Sequence, residues 1–190
     1  MSWNDFLGHY GKFIWACDFF TVTTASLRTY CVLFFIQIST RRIIFWNLSQ
    51  HPSGSWVAQQ FRNLSSSNEL LPRYLIHDRD GKFTAQADQL LRMMGTSPVR
   101  LPVRASNLSA HAERWVRTTR EECLDRIIVL NERHLRWVLG EFICYYNRCR
   151  PHRSKGLGVL TGSTDFPRVG QVARRTILGG LINDYFRKAA

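Results

Sequence analysis

Apolar residues in the first half of this chain come in short runs separated by polar turns. Three runs rich in β-branched and aromatic residues predict strands, and the short polar connection between the second and third predicts a hairpin. Two further short strands alternate with segments of helical periodicity. The predicted strands are 13–22, 29–38, 41–48, 74–77 and 97–103, and the predicted helices are 51–64, 82–95, 106–125 and 131–148. This order predicts an α/β fold with a mixed five-stranded sheet flanked by helices.

Composition narrows the class of protein. The 190 residues are 45% apolar and 13% aromatic, which argues against intrinsic disorder. The longest apolar run, Cys31 to Ile38, is far shorter than the roughly 20 residues that cross a bilayer. No signal-peptide pattern opens the sequence, and five cysteines, an odd number, predict reduced thiols. We therefore expect a cytoplasmic protein.

Charge gives the first indication of function. The net charge is +12, and it is uneven: residues 1–99 carry nine Lys and Arg against six Asp and Glu, whereas residues 100–190 carry seventeen against eight. Most of the excess is arginine, whose planar guanidinium suits phosphate groups. The pattern favours a nucleic-acid-binding protein, although a solvated basic surface would have the same composition.

Asp18 is the most unusual acid in the sequence. It lies in the middle of the first predicted strand, with Ala16 and Phe20 on its own face and Cys17 and Phe19 on the other. An ionised carboxylate there costs several kcal/mol unless a charged group meets it. That group is either an arginine that reaches into the sheet or a metal ion.

Two more acids follow the fourth predicted strand, in the sequence YLIHDRDGKF. Asp78 and Asp80 lie where the strand ends, and either a plain charged turn or a metal-binding carboxylate at the strand tip accounts for them. The helix predicted over 106–125 carries Glu113, which alone reads as an ordinary surface residue. Asp18, Asp78 and Glu113 converge only if the two strands are neighbours and the helix packs across them.

These segments together resemble the retroviral-integrase-like DDE transposases of bacterial insertion sequences, over about residues 15–154. ACDFF resembles the strand of the first catalytic aspartate, and DRDGKF the loop of the second. AERWVRTTREECLDR is similar to the glutamate helix, and YYNRCRPHRS resembles the family's Tyr-Asn-x-x-Arg-Pro-His signature. Thirty-four residues separate Asp78 from Glu113, against 32 for Asp80; the family's spacing of about 34 or 35 selects Asp78. The resemblance implies an integrase catalytic core with a ribonuclease H-like fold.

The resemblance also implies a chemistry, metal-assisted phosphoryl transfer on DNA. Two divalent ions about 4 Å apart activate the attacking oxygen and stabilise the leaving one, and carboxylate oxygens suit Mg²⁺ or Mn²⁺. In the family's scheme Asp18 would bridge the two ions, and Asp78 and Glu113 would each hold one. Water attack nicks the element end, and the freed 3′-hydroxyl then attacks target DNA.

Partners follow from the same resemblance. The family acts as multimers on paired DNA ends, so we expect a homo-oligomer bound to double-stranded DNA, both element ends and target, and associated with the nucleoid. Basic side chains would contact the DNA backbone and position it, unless some pair with Glu121, Glu122 or Glu141 instead. These predicted contacts are Arg114, Arg117, Arg120, Arg148, Arg150, His152 and Arg153.

The sequence also departs from the family. Ser106 stands where a proline is expected, and Ser109 where an asparagine braces the loop near the metals. Residues 1–12 resemble only the linker into the core, 13–154 the catalytic core, and 155–190 a basic tail; the family's N-terminal helix-turn-helix is not found. A truncated, catalytically inactive DNA-binding relic is therefore a second interpretation. A ribonuclease H-like nuclease acting on RNA–DNA hybrids is a third, which the YYNRCRPHR segment disfavours.

Overall fold

The chain forms two compact units. One consists of Met1–Thr23 and Leu27–Arg117, and the other of Thr24–Ser26 and Thr118–Ala190. The predicted linker at the N-terminus lies almost entirely outside the part of the chain that the structure, a computed structural model, describes. The described residues are 11–66, 70–101, 106–153, 156–161 and 169–188. In that part of the chain, no helix is long and apolar enough to span a membrane.

A mixed five-stranded sheet forms the centre of the first unit, in the spatial order β3-β2-β1-β4-β5. The first three strands form an antiparallel meander, whereas β4 and β5 run parallel to β1. The predicted α/β fold with a mixed sheet is therefore confirmed, and β1 lies in its middle. The strands are β1 (Ile14–Thr23), β2 (Thr29–Gln37), β3 (Ile43–Ser49), β4 (Tyr74–His77) and β5 (Ser97–Arg100).

Local sequence explains where the first two helices begin and end. The helix α1 (Gly54–Ser65) begins after Ser53, whose side chain accepts a hydrogen bond from the Trp56 amide. Thr84 caps α2 (Ala85–Met93) in the same way. Gly95 follows α2 with a φ of 82°, the left-handed conformation that glycine adopts most readily after a helix.

Different helices cover the two faces of the sheet. Trp115 of the helix α3 (Ser106–Glu122) packs on one face, with its ring 5.6 Å from that of Phe20 and 4.2 Å from that of Phe34. On the other face, side chains of α1 and α2 join alternate strand residues in a buried core. That core contains Trp15, Cys17, Leu33, Phe35, Val57, Phe61, Leu64, Leu75, Phe83, Ala87 and Leu91.

The second unit is built on the helix α4 (Glu132–Arg148). Asn131 caps this helix, with its side chain accepting a hydrogen bond from the His134 amide at 3.0 Å. The helix was predicted to begin at this residue. The buried face of α4 shows helical spacing and consists of Leu135, Val138, Leu139, Phe142, Ile143 and Tyr146.

The end of the chain contains a hairpin that the sequence did not predict. Strands β6 (Val172–Ile177) and β7 (Ile182–Arg187) pair antiparallel, within residues expected to be a loose basic tail. Two consecutive arginines in β6 interrupt the alternation of apolar and polar residues that predicts a strand. Arg175 donates to the carboxylate of Asp184, which lies opposite it in the register, at 2.6 Å.

All five cysteines of the chain are free thiols, as predicted.

Candidate active site

Asp18 and Asp78 lie at the same level on neighbouring parallel strands. The last register pair of β1 and β4 joins Ala16 to Ile76, and each aspartate lies two residues further along its chain. Adjacent strands are about 4.8 Å apart, so the main chains of the two acids continue side by side. The first condition for convergence, that the two strands are neighbours, is met.

Glu113 lies on the helix that covers the face of Asp18. Side chains alternate between faces along a strand, so Asp18 shares the face of Phe20, which packs against Trp115. Phe34 lies opposite Asp18 in the register of β1 and β2, and its ring also contacts Trp115. Glu113 is exposed, two residues before this buried tryptophan. The helix therefore packs on the face of Asp18 over β1 and β2, and the convergence of Glu113 with the two aspartates stays a prediction.

The electrostatics of Asp18 show that the acids share one neighbourhood. Burial, the largest cause, raises the pKa of the Asp18 carboxyl from 3.8 to about 6. A hydrogen bond from the Phe19 amide, 2.7 Å from Oδ1, opposes this rise in the pKa, whereas the negative charges of Asp78, Glu113 and Asp80 add to it. Among the described residues, no lysine or arginine forms an ion pair with Asp18, so the alternative of an arginine partner is not found there.

The loop after β4 distinguishes Asp78 from Asp80. Asp78 Oδ1 accepts a hydrogen bond from the Asp80 amide at 3.0 Å. Asp80 instead accepts from both the amide and the ammonium group of Lys82. Although burial raises the pKa of Asp80, these contacts with Lys82 hold it below its ordinary value. Asp80 is thus engaged within the loop, which agrees with the choice of Asp78 from spacing.

The candidate ligands, which are carboxylates, are of the chemical type that binds a divalent cation. Carboxylate oxygens are the ligands that Mg²⁺ and Mn²⁺ prefer, and a cation would relieve the repulsion that Asp78 and Glu113 exert on Asp18. Within the described ranges, however, no group of three His, Cys, Asp or Glu side chains is arranged to hold a metal ion. The assignment of Asp18, Asp78 and Glu113 as metal ligands therefore stays a prediction.

Basic side chains lie on the same helix as Glu113. Arg114 and Arg117 are exposed on α3, and Arg120 is half-buried. Burial, followed by the positive charges of Arg41 and Arg114, lowers the pKa of His111, which places Arg41 beside the same stretch of helix. Arg114 and Arg117 in the first unit can attract a polyanion, and contact with DNA at Arg114, Arg117 and Arg120 stays a prediction.

The predicted contacts beyond α3 divide into two kinds, all within the second unit. Arg148 and Arg153 are exposed. Arg150 binds Glu122 through two nitrogens, at 2.7 and 2.5 Å. This is the pairing with a glutamate that was the alternative to contact with DNA. His152 is only 5% exposed, and its Nε2 lies 3.1 Å from the carbonyl oxygen of Tyr146. The burial of His152 argues against direct contact with DNA, and its assignment as a DNA contact stays a prediction.

Sequence reasoning missed a buried polar group behind Asp78. His77 and Asp88 are both buried, with His77 Nε2 3.1 Å from Asp88 Oδ1. Asp88 lies three residues before the buried Leu91, on the inner face of α2. An acid on the apolar face of a predicted helix was the signal available in the sequence.

Comparison with known proteins gives a family-model match over part of the chain and a similar fold. Residues 94–161 match the family model described as integrase core domain. No curated protein sequence matches the chain. The fold is similar to that of the catalytic domain of Mos1 mariner transposase, with a TM-score of 0.59, 11% identity and 74% of each chain covered.

Two viral integrase structures are also similar. The HTLV-2 integrase catalytic core domain in complex with magnesium gives a TM-score of 0.57 at 10% identity, covering 77% of this chain and 92% of that one. The simian T-cell lymphotropic virus intasome in complex with PP2A regulatory subunit B56 gamma gives 0.64 at 10% identity, covering 93% and 67%. Such identities show the fold alone. From the strand order and these structural matches, this chain has the ribonuclease H-like fold of transposase and integrase catalytic domains, and its residues 94–161 match the integrase core model.

Proposed function

We propose that this chain is the catalytic domain of a DDE-type transposase or integrase, which cleaves DNA ends and joins them to target DNA with the help of divalent metal ions. One observation supports the proposal: Asp18 and Asp78 each lie two residues beyond a paired residue of neighbouring parallel strands, and the helix that bears Glu113 packs on the face of Asp18. The neighbouring HTLV-2 structure with magnesium supports the metal requirement, and the intasome structure supports assembly on DNA as a homo-oligomer.

The three acids have different roles in this proposal. The charges of Asp78 and Glu113 both act on Asp18; as in the family's scheme, Asp18 would contact both ions, while Asp78 and Glu113 would each hold one. Divalent ions bound there would activate the attacking oxygen and stabilise the leaving oxygen of an in-line displacement at phosphorus. Because the pKa of Asp18 is about 6, this carboxyl must lose its proton before it binds a cation, and the cation affinity falls in acid.

The direct test is cleavage of a labelled DNA duplex by the whole chain with Mn²⁺ or Mg²⁺, and no cleavage in EDTA. DNA binding without cleavage in either metal would contradict the proposal and favour the inactive DNA-binding relic, consistent with Ser106 and Ser109 in place of the family's proline and asparagine. Cleavage restricted to the RNA strand of an RNA–DNA hybrid would favour the ribonuclease instead.

The arginines of α3 give a separate prediction about DNA binding. Replacing Arg114 and Arg117 together with Gln should weaken binding to all DNA sequences alike, because contacts with phosphate position the DNA without reading its bases. Each lost phosphate contact lowers the slope of log K against log salt by about 1, so the double variant should lose up to about 2. Fluorescence anisotropy with two unrelated duplexes, at several salt concentrations, measures both effects.

The matched control for this pair lies on the other face of the sheet. Arg62 on α1 and Arg92 on α2 are also exposed, and these helices cover the face opposite Asp18. The Arg62 and Arg92 double variant removes the same charge and should leave the salt slope unchanged. Equal losses of slope in the two double variants would show that bulk charge, and not the surface of α3, governs binding.

A further inference from the structure

A buried polar network lies directly behind Asp78. Asp88 accepts from the ring of His77 on Oδ1, and from Nε and a terminal nitrogen of Arg100 on Oδ2, at 2.9 and 2.7 Å. The His77 side chain is completely buried, and its ring stacks on that of Phe83 with centroids 4.5 Å apart. Arg100 is exposed, whereas His77 and Asp88 are buried, and a buried polar contact of this kind orients its groups strongly because its loss is costly in the interior.

The second ring nitrogen of His77 reaches the candidate ligand itself. Nδ1 lies 2.7 Å from the carbonyl oxygen of Asp78. A carbonyl oxygen and a carboxylate oxygen both accept hydrogen bonds only. The tautomer with its hydrogen on Nδ1 donates to the Asp78 carbonyl, and a ring that carries a hydrogen on both nitrogens, which is a cation, donates to Asp88 as well. The ring is therefore a rigid link between Asp88 on α2 and the main chain of Asp78.

Asp78 is held from two directions as a result. Its main-chain oxygen is bound by His77, and its side-chain Oδ1 accepts from the Asp80 amide at 3.0 Å. The loop then closes on the same ring, because the Phe83 amide donates to the Asp80 carbonyl at 2.9 Å and the Phe83 ring stacks on His77. With both ends of the residue bound, the direction of the Asp78 carboxylate is set before any cation arrives.

We propose that His77 is a positioning residue, which aims the Asp78 carboxylate at the cation by bracing the Asp78 carbonyl against Asp88. This inference rests on the proposed role of Asp78 as a metal ligand. Groups that orient a ligand typically change metal affinity about 10–100-fold when they are lost. The contact that matters is the one from Nδ1, whereas the contact from Nε2 anchors the ring.

Two substitutions of His77 separate the two contacts. The side-chain nitrogen of Asn can take the place of Nδ1, and that of Gln can take the place of Nε2. His77→Asn therefore keeps the donor to the Asp78 carbonyl, and His77→Gln keeps only the donor to Asp88. Mn²⁺ affinity, measured by electron paramagnetic resonance of free Mn²⁺, should fall about 10–100-fold in His77→Gln and much less in His77→Asn, while thermal unfolding shifts to a similar extent in both.

Asp78→Asn is the reference variant in the same assay. Should it bind Mn²⁺ as the unaltered chain does, the proposed function itself fails. Should Asp78→Asn lose affinity while the two His77 variants remain equal to each other, only the positioning role is overturned. If neither His77 variant folds, ¹⁵N NMR of the unaltered chain decides: Mg²⁺ should shift the His77 Nδ1–H resonance together with the Asp78 amide, and a shift of the amide alone would refute the bracing contact.

Discussion

Replacement of Asp78 with Asn, or of Glu113 with Gln, is expected to abolish Mn²⁺-dependent cleavage of DNA while leaving bulk DNA binding intact. Each change removes one charged oxygen ligand and keeps the shape of the side chain. The loss should exceed the roughly 10–100-fold effect of removing a group that only orients a ligand. Single-turnover cleavage of an end-labelled duplex gives the rate, and anisotropy under the same conditions gives the DNA affinity.

Matched controls for these variants lie elsewhere on the chain. Glu121 is exposed on the same helix as Glu113, and Asp125 is exposed in the short 3-10 helix that follows. Glu121→Gln and Asp125→Asn remove the same charge without touching the candidate site, and both should cleave DNA at the original rate. Cleavage that persists in Asp78→Asn, or that is lost equally in the controls, would show that these acids are not the catalytic ones.

The second large effect concerns stability and its dependence on pH. In EDTA, Asp18→Asn is expected to stabilise the protein at pH 8 by roughly 2 kcal/mol. The pKa of Asp18 is raised from 3.8 to about 6 in the folded protein, which corresponds to about 3 kcal/mol, reduced here because Asp18 is partly exposed. The Asn side chain carries no charge and so avoids this cost.

The sign of the effect follows from the two pKa values. Well below pH 3.8 the carboxyl is protonated in both the folded and the unfolded chain, so the unaltered protein and the Asp18→Asn variant should differ little in stability. Between about pH 3.8 and 6 the unfolded chain ionises this carboxyl while the folded chain keeps its proton, so the unaltered protein loses stability over this range and loses no more above it. Urea unfolding at pH 4, 6 and 8 measures the difference in the free energy of unfolding.

Magnesium should reverse the order of the two proteins. A cation that binds only the folded chain stabilises it to an extent that grows with its concentration relative to Kd, and Asp18→Asn lacks the proposed bridging ligand. Added Mg²⁺ at pH 8 should therefore raise the Tm of the unaltered protein more than that of the variant. Destabilisation by Asp18→Asn at every pH, with no response to Mg²⁺ in either protein, would mean that Asp18 serves packing alone.

Local patterns in the sequence were enough to predict the secondary structure of the first unit. Runs of β-branched and aromatic residues identified the strands, and Gly95 marked the end of α2 within a residue or two. Spacing along the chain also chose Asp78 over Asp80. These features depend on residues close together in sequence, so the sequence of a single chain is enough to predict them.

Pairing across the fold could not be obtained in this way. The β1–β4 register that sets Asp18 beside Asp78, and the side of the sheet on which α3 packs, depend on contacts between residues far apart in the chain. The same holds for the bond of Arg150 to Glu122 and for the burial of His152. Arg150 and His152 were both predicted to contact phosphate, and in the folded chain each forms a polar contact with another residue of the protein.

What the sequence determined by itself, then, is the order of strands and helices, the basic character of the second half and the identity of three candidate acids. Only the tertiary structure decided that the strands before Asp18 and Asp78 are neighbours, that residues 172–187 form a hairpin, and that His77 links Asp78 to α2. The physical reason is that hydrophobic periodicity specifies which side of each segment is buried, whereas charge pairing and register depend on which segments meet.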